Sequence, residues 1–331
     1  MRFFIFIFLL CFSFFTFAQK WHQIDPNTFI ISPPKNAIQL QTNLAILTGK
    51  NCAAVINAHG DFTAIELTIK QIKNRIKVPV CYLISTSSDI HEVLGIALMQ
   101  RAFPAASWIA PSHVKHNLSN YQHAYNDKIS QYLNSYEVST QRVENFDLEG
   151  KALWKNKMRQ ANQRIQDWKN IPLRAPIEVK KQLQLGNHLI DIETYSAFSK
   201  EDLFVFSHLN NGMFAGTSID PIPYVTHSKL NQWLQTLSIM ENTSQIKWLL
   251  PSHGKPYKRA ALNKPITFLR TVMKHSIRQN NELPEELLKR YPKKELQPKL
   301  TLLYQIAVQH NPKNNNKTLS VQMPNTPPPQ L

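Results

Sequence analysis

A chain of 331 residues, 43% of them hydrophobic, is long enough to bury one large core or two ordinary ones. Its formal charge of +16 and pI near 9.7 would suit anionic lipid, cell-wall polymer or acidic ligands, but a lysine-rich solvated surface explains them equally and is the reading taken. The basic residues are spread along the chain, densest at Lys289-Arg290-Tyr291-Pro292-Lys293-Lys294, without a nucleic-acid-binding module or an aromatic and basic alternation, so nucleic-acid binding is set aside.

Met1-Arg2 is followed by an almost unbroken apolar run, Phe3 to Phe17, closing on Thr16-Phe17-Ala18. This reads as a secretory signal peptide over residues 1–18, with a mature protein beginning at Gln19 and residing in the periplasm or outside the cell. The alternative is an uncleaved anchor, but a run of roughly 15 residues falls short of the ~18–20 that span a bilayer. Of the three cysteines, Cys11 lies in the leader, leaving Cys52 and Cys81. Export permits a bridge between them. Two cysteines on apolar strands are more often packed thiols, and that is the reading taken.

Trp21 to Pro34 is polar and punctuated by proline, with a short first strand at Phe29-Ile30-Ile31. Asn43 to Gly49 and Cys52 to Ile56 are apolar runs flanking Gly49-Lys50-Asn51, a hairpin signal. Ile65, Ile69, Ile72 and Ile76 follow at helical spacing, with Asp61 as N-cap. Val78 to Ile84 is the next buried strand, so a βαβ unit is expected here. It runs into Ser85-Thr86-Ser87-Ser88-Asp89-Ile90-His91-Glu92-Val93-Leu94-Gly95, where a strand end opens onto a helix from His91 to Phe103. Strand ends and helix N-termini expose side chains and free N–H groups, and this one presents Ser87, Asp89, His91 and Glu92 together.

Ala106 to Ala110 is another strand, and residues 111–163 form a polar, aromatic, partly helical insertion. A second β-rich half starts near Ile177, with strands at Val179 to Leu185, Leu189 to Glu193, Leu203 to Ser207 and Met213 to Gly216. Asn210-Asn211-Gly212 is a turn. A helix from Lys229 to Met240, a strand from Ile246 to Leu250 ending in Pro251-Ser252-His253-Gly254, and a helix from Pro265 to Gln279 complete the pattern. From Pro312 the chain is Asn, Pro and Gln, so residues 311–331 are expected to be a disordered tail.

In order, Ile56-Asn57-x-His59-Gly60, Ile84-Ser85-Thr86, Phe214-Ala215-Gly216-Thr217, Trp233 and Pro251-Ser252-His253-Gly254 resemble the metallo-β-lactamase fold. Within that fold the motifs most resemble the zinc metallohydrolases of the quinoprotein relay system. The resemblance covers about residues 28–290. It implies an α/β fold, an αββα sandwich, over a domain at 19–310 that carries the insertion at about 111–163. The family's ligand motif, Thr-His-x-His-x-Asp-His-x-x-Gly, falls on Thr86 to Gly95. Its histidines then lie at Ser87, Asp89 and Glu92, and its Asp at His91. A further metal-binding histidine falls at Phe198, the bridging Asp at Thr217 and an early Asp at Asn57, so that His253 alone is retained.

That substitution pattern implies no catalytic residue. The expected function is a degenerate, exported metallohydrolase that keeps the scaffold as a binding surface for an unknown ligand or envelope protein, such as one of a quinoprotein dehydrogenase system. The alternative is a hydrolase whose remodelled site, His91, Glu92 and His253, holds one divalent metal such as zinc, with bound water as nucleophile. A third reading is a basic envelope-binding protein in which the cleft plays no part. From the residues alone, Asp89 also reads as a helix cap, His91 and Glu92 as a helix N-terminal pair and His253 as a residue bonded within its turn. Other motifs fail: the second histidine of a His-Glu-x-x-His helix would fall on Gly95, and a chain with eight glycines shows no Gly-x-Ser-x-Gly elbow. The isolated His113, His116, His208 and His227 read as surface or satisfied core residues.

Overall fold

The computed structural model describes residues 19–34, 37, 41–146, 148–225, 229–275 and 282–310. The expected leader and tail, and His227, lie outside the described residues.

The first half builds one sheet. Strand β1 (Lys20–Asp25) turns at Asn27, whose N–H donates to Asp25 Oδ1 at 2.7 Å, into β2 (Thr28–Ser32). β3 (Leu44–Thr48) and β4 (Ala53–Ile56) form the expected hairpin. Helix α1 (Phe62–Arg75) follows, and Asp61 caps it by accepting from the Ala64 N–H at 3.0 Å. β5 (Val80–Ile84) then lies parallel to β4, as a βαβ unit requires.

The helix expected from His91 to Phe103 is instead two, α2 (Ile90–Val93) and α3 (Ile96–Ala102), broken at Gly95. A Cβ on Gly95 would stand 2.4 Å from the His59 carbonyl oxygen, so the chain can pass here only as glycine. β6 (Ser107–Ile109) completes the sheet in the order β1-β2-β3-β4-β5-β6.

The insertion is a short helix, α4 (Ser112–His116), followed by a long helical hairpin, α5 (Leu118–Val143) and α6 (Leu148–Trp168). The second half supplies β7 (Gln182–Gln184), β8 (Leu189–Tyr195), β9 (Asp202–Ser207) and β10 (Gly212–Gly216). It continues with α7 (Leu230–Asn242), β11 (Trp248–Pro251), β12 (Tyr257–Lys258), α8 (Asn263–Lys274), α9 (Glu285–Arg290) and α10 (Gln297–Gln309). Its strands pair in the order β12-β11-β10-β9-β8-β7.

Side-chain alternation explains the layering. In β3 and β4 every residue is buried: Leu44, Ile46, Ala53 and Val55 join the core beneath α1, α3, α5 and α6, while Ala45, Leu47, Ala54 and Ile56 join a core shared with the other sheet. β9 does the same, with Phe204 and Phe206 towards α7, α8 and α10, and Leu203 and Val205 towards the first sheet. The result is helices, sheet, sheet, helices, the αββα sandwich expected. Each fully buried Phe, Leu or Ile in these layers contributes about 1.5–3 kcal/mol of burial free energy.

Cys52 and Cys81 form a disulfide, which corrects the reading of them as packed thiols. Cys52 immediately precedes β4 and Cys81 lies in β5; these neighbouring parallel strands bring the two Cα atoms to 5.7 Å, inside the range a bridge requires. Among the described residues no helix is long and apolar enough to cross a membrane.

Candidate functional site

Both halves meet at Glu92. Its position in α2 carries the side chain inward to full burial. Oε2 accepts from Ser87 Oγ at 2.8 Å and Thr86 Oγ1 at 3.1 Å, and Oε1 accepts from Thr217 Oγ1 at 3.1 Å and from Ser252 Oγ. Two hydroxyls thus come from the turn after β5, one from the turn after β10 and one from the turn after β11. Burial, with the Asp89 carboxylate nearby, pushes the Glu92 pKa up to about 7, against the bonds from Ser87 and Thr86 that favour the charge. Hydroxyls rotate, so the same ring can donate to a carboxylate or accept from a carboxylic acid.

The ring is itself held. Asn57, in a left-handed conformation at φ 63° where β4 ends, accepts from the Thr86 N–H at 2.8 Å and donates from Nδ2 to Thr86 Oγ1 at 2.9 Å. Gly216, at φ 54°, passes so close that a Cβ would stand 2.3 Å from Thr86 Oγ1 and 2.7 Å from Glu92 Oε1. The glycine that ends β10 therefore supplies the space that the carboxyl group fills. Asn43 Nδ2 donates to the carbonyls of Pro251 at 2.9 Å and Gly254 at 2.7 Å, fixing the Ser252 turn against the first sheet.

His253 faces a different partner. Its backbone N–H donates to Asp220 Oδ1 at 2.9 Å, and its Nδ1 pairs with Asp220 Oδ2 at 2.6 Å. Burial opposes the imidazolium, but the charge and hydrogen bond of Asp220 carry the His253 pKa above the ordinary histidine range. His91 lies on the exposed side of α2, and Asp89 caps that helix by accepting from the His91 N–H at 2.9 Å. Phe198 packs edge to face on Trp233 at 6.3 Å. His59 is buried, which lowers its pKa to about 4 against the opposing influence of Asp61, and it bonds the Gln19 side chain at 3.0 Å.

In sequence no family profile and no curated protein matches the chain. In structure it is similar to a metallo-β-lactamase from Pontibacter korlensis, with a TM-score of 0.50, 13% identity, and coverage of 76% of this chain and 99% of that one. It is similar also to TMB-1 (TM-score 0.51, 14% identity, 77% and 98% covered) and to the DIM-1 metallo-β-lactamase (0.51, 12%, 77% and 98%). The chain has the metallo-β-lactamase fold.

Placed on that fold, the motif positions do not make the family's zinc site. Ser87 and Thr217 carry hydroxyls, which are not among the Cys, His and carboxylate donors zinc prefers, and both are turned to Glu92. Phe198 offers no donor. Among the described residues no group of three or more His, Cys, Asp or Glu side chains is disposed to hold a metal. The dinuclear ligand set therefore does not fit this chain. A groove of about 590 Å³ does lie beside α1, lined by Gln19, Gln41, Asp61, Glu66, Lys70 and Arg164 among others, and none of the motif positions lines it.

Sequence reasoning singled out Glu92 but missed its hydroxyl ring, as well as Asp220, Asn43 and the locking role of Asn57. A signal was present: each of the three motif turns, Ser85-Thr86-Ser87-Ser88, Gly216-Thr217-Ser218 and Pro251-Ser252-His253, places a hydroxyl at or beside a ligand position. Asp220 carried no comparable signal, because its partner lies 33 residues away.

Proposed function

We propose that this is a degenerate metallohydrolase, a non-catalytic protein that keeps the metallo-β-lactamase scaffold for binding. The observation that carries this reading is Glu92. At a position where the family motif has a metal-binding histidine, a buried carboxyl group with a raised pKa joins the turns that the motif uses for metal, through hydroxyls rather than through an ion. A buried carboxyl group and four hydroxyls do the cross-linking that divalent metal does in the family.

The disulfide supports export, since such bridges persist in oxidising compartments. From the sequence motifs, the finer resemblance is to quinoprotein relay metallohydrolases, and the partner it suggests is an envelope protein of a quinoprotein dehydrogenase system.

The second reading, one divalent ion on His91, Glu92 and His253, has one observation in its favour. Asp220 holds His253 through Nδ1, the arrangement by which carboxylates orient metal-binding imidazoles. The two readings part in a denaturation experiment. An ion bound by the folded state alone stabilises it by RT ln(1 + [L]/Kd), about 2.7 kcal/mol at a hundredfold excess over Kd. We expect the urea midpoint to be the same in chelator and in excess zinc. A midpoint that rises with zinc in the parent, but not in His253→Ala, would establish the second reading instead.

A further inference from the structure

The α5 and α6 hairpin is anchored at one end only. Near its base, Tyr121, Tyr125, Ile129, Ile165 and Trp168 are buried against α1 and the first sheet. Between Ser130 and Arg164 no described residue is buried. Tyr132, Leu133 and Tyr136 still pack half-buried against that core, so the free part of α5 begins at about Glu137, and Glu137 to Val143 is about 10 Å of helix. A polar two-helix arm would need no explanation, but the outer part of this one carries large apolar side chains. Val138 is 47% exposed, Phe146 43% and Trp154 36%. Phe146 and Trp154 lie with ring centroids 6.4 Å apart, and the Lys157 ammonium sits 4.6 Å from the Trp154 ring.

Around these rings α6 is cationic: Lys151, Lys155, Lys157 and Arg159 outnumber Glu149 on its outer half, and of these cations Lys151 has a described ion pair, with Glu144 at 3.8 Å. Exposed Trp and Phe flanked by Lys and Arg suit the boundary between headgroups and acyl chains, where the ring enters, the long stems lie along it and the charges meet lipid phosphate. The whole chain, at +16, is drawn to the same kind of surface.

We infer that the outer end of this arm docks the protein on an anionic lipid bilayer, through Phe146, Trp154 and Val138 in the interface and through Lys155, Lys157 and Arg159 on phosphate. The site is separate from Glu92 and its role does not depend on whether metal binds there.

Co-sedimentation of the mature protein with vesicles of equal parts phosphatidylglycerol and phosphatidylethanolamine, against pure phosphatidylcholine, tests this. Binding should occur only to the anionic vesicles and weaken as salt rises. Lys155→Gln and Lys157→Gln should each cost about fivefold, the factor equivalent to about 1 kcal/mol per basic residue at such a surface. The Phe146→Ser, Trp154→Ser double variant should bind at least tenfold more weakly while melting as the parent does, because neither ring is in the core. Lys293→Gln with Lys294→Gln, on the other half of the molecule, should bind as the parent. Absence of parent binding, equal binding by the arm variants, or loss confined to the Lys293 and Lys294 variant would overturn the inference. So would a vesicle-free dimer that the double aromatic variant abolishes, which would make a second copy the occupant.

Discussion

A carboxyl group removed from water must either find donors for its charge or hold its proton, and Glu92 is arranged for both. Folding raises its pKa from 4.5 to about 7. Between those values the folded chain keeps a proton that the unfolded chain has released, so stability should fall as pH rises from about 4.5 and level off above about 7. The fall should amount to about 3 kcal/mol, from 1.36 kcal/mol per pKa unit. Glu92→Gln, neutral at every pH and similar in shape, should flatten that part of the pH profile in urea denaturation without loss of stability at neutral pH. A profile as steep as the parent's would show that another group is responsible. Glu92→Ala leaves buried hydroxyls without their acceptor and opens a cavity, and should cost about 2–5 kcal/mol. Gly216→Ala should be destabilising by about 1–3 kcal/mol in the same assay, since its Cβ meets Thr86 Oγ1 at 2.3 Å and its φ of 54° is strained for alanine.

Among the elements, the contact between α1 and the hairpin base carries the most aromatic packing. Phe62 stacks on Tyr125 at 5.0 Å and meets Trp168 edge on at 5.6 Å, while Glu66 accepts from Arg164 Nη2 and Trp168 Nε1, each at 2.6 Å. Phe62→Ala should therefore cost about 3–5 kcal/mol and expose the hairpin to limited proteolysis within residues 118–168 before the rest of the chain is cut. A uniform cleavage pattern would show that the base is held by other contacts. These elements differ in how far the sequence disclosed them. The Gly49-Lys50-Asn51 hairpin, the Asp61 cap and the isoleucines of α1 are local signals, and they give the observed β3, β4 and α1. The need for glycine where α2 meets α3 comes from the His59 carbonyl, a contact from another part of the chain that periodicity does not contain. β1 was hidden because an edge strand that leaves most of its side chains in solvent has no apolar alternation. At the candidate site Glu92 was legible as an acid at a strand-to-helix junction with Thr86 and Ser87 beside it, whereas its other two donors come from turns 125 and 160 residues away and only the fold unites them.

At the scale of the molecule, two cross-links bear on stability, one within the first sheet and one between the two sheets. The disulfide ties the start of β4 to β5 across 29 residues, and reducing it should lower stability by about 3 kcal/mol, read as a shift in melting temperature with and without reductant. An unshifted melting curve would mean that the bridge contributes little beyond the packing of those strands. The other cross-link is Glu92, which joins the turn after β5 in the first sheet to the turns after β10 and β11 in the second. On the proposed reading it replaces a metal centre on a metallo-β-lactamase scaffold. Elemental analysis of the purified mature protein, after exposure to excess zinc and removal of unbound ion, tests that claim most directly. Far less than one metal per chain is expected, in the parent and in His253→Ala alike. One firmly held ion per chain in the parent, lost on His253→Ala, would contradict it.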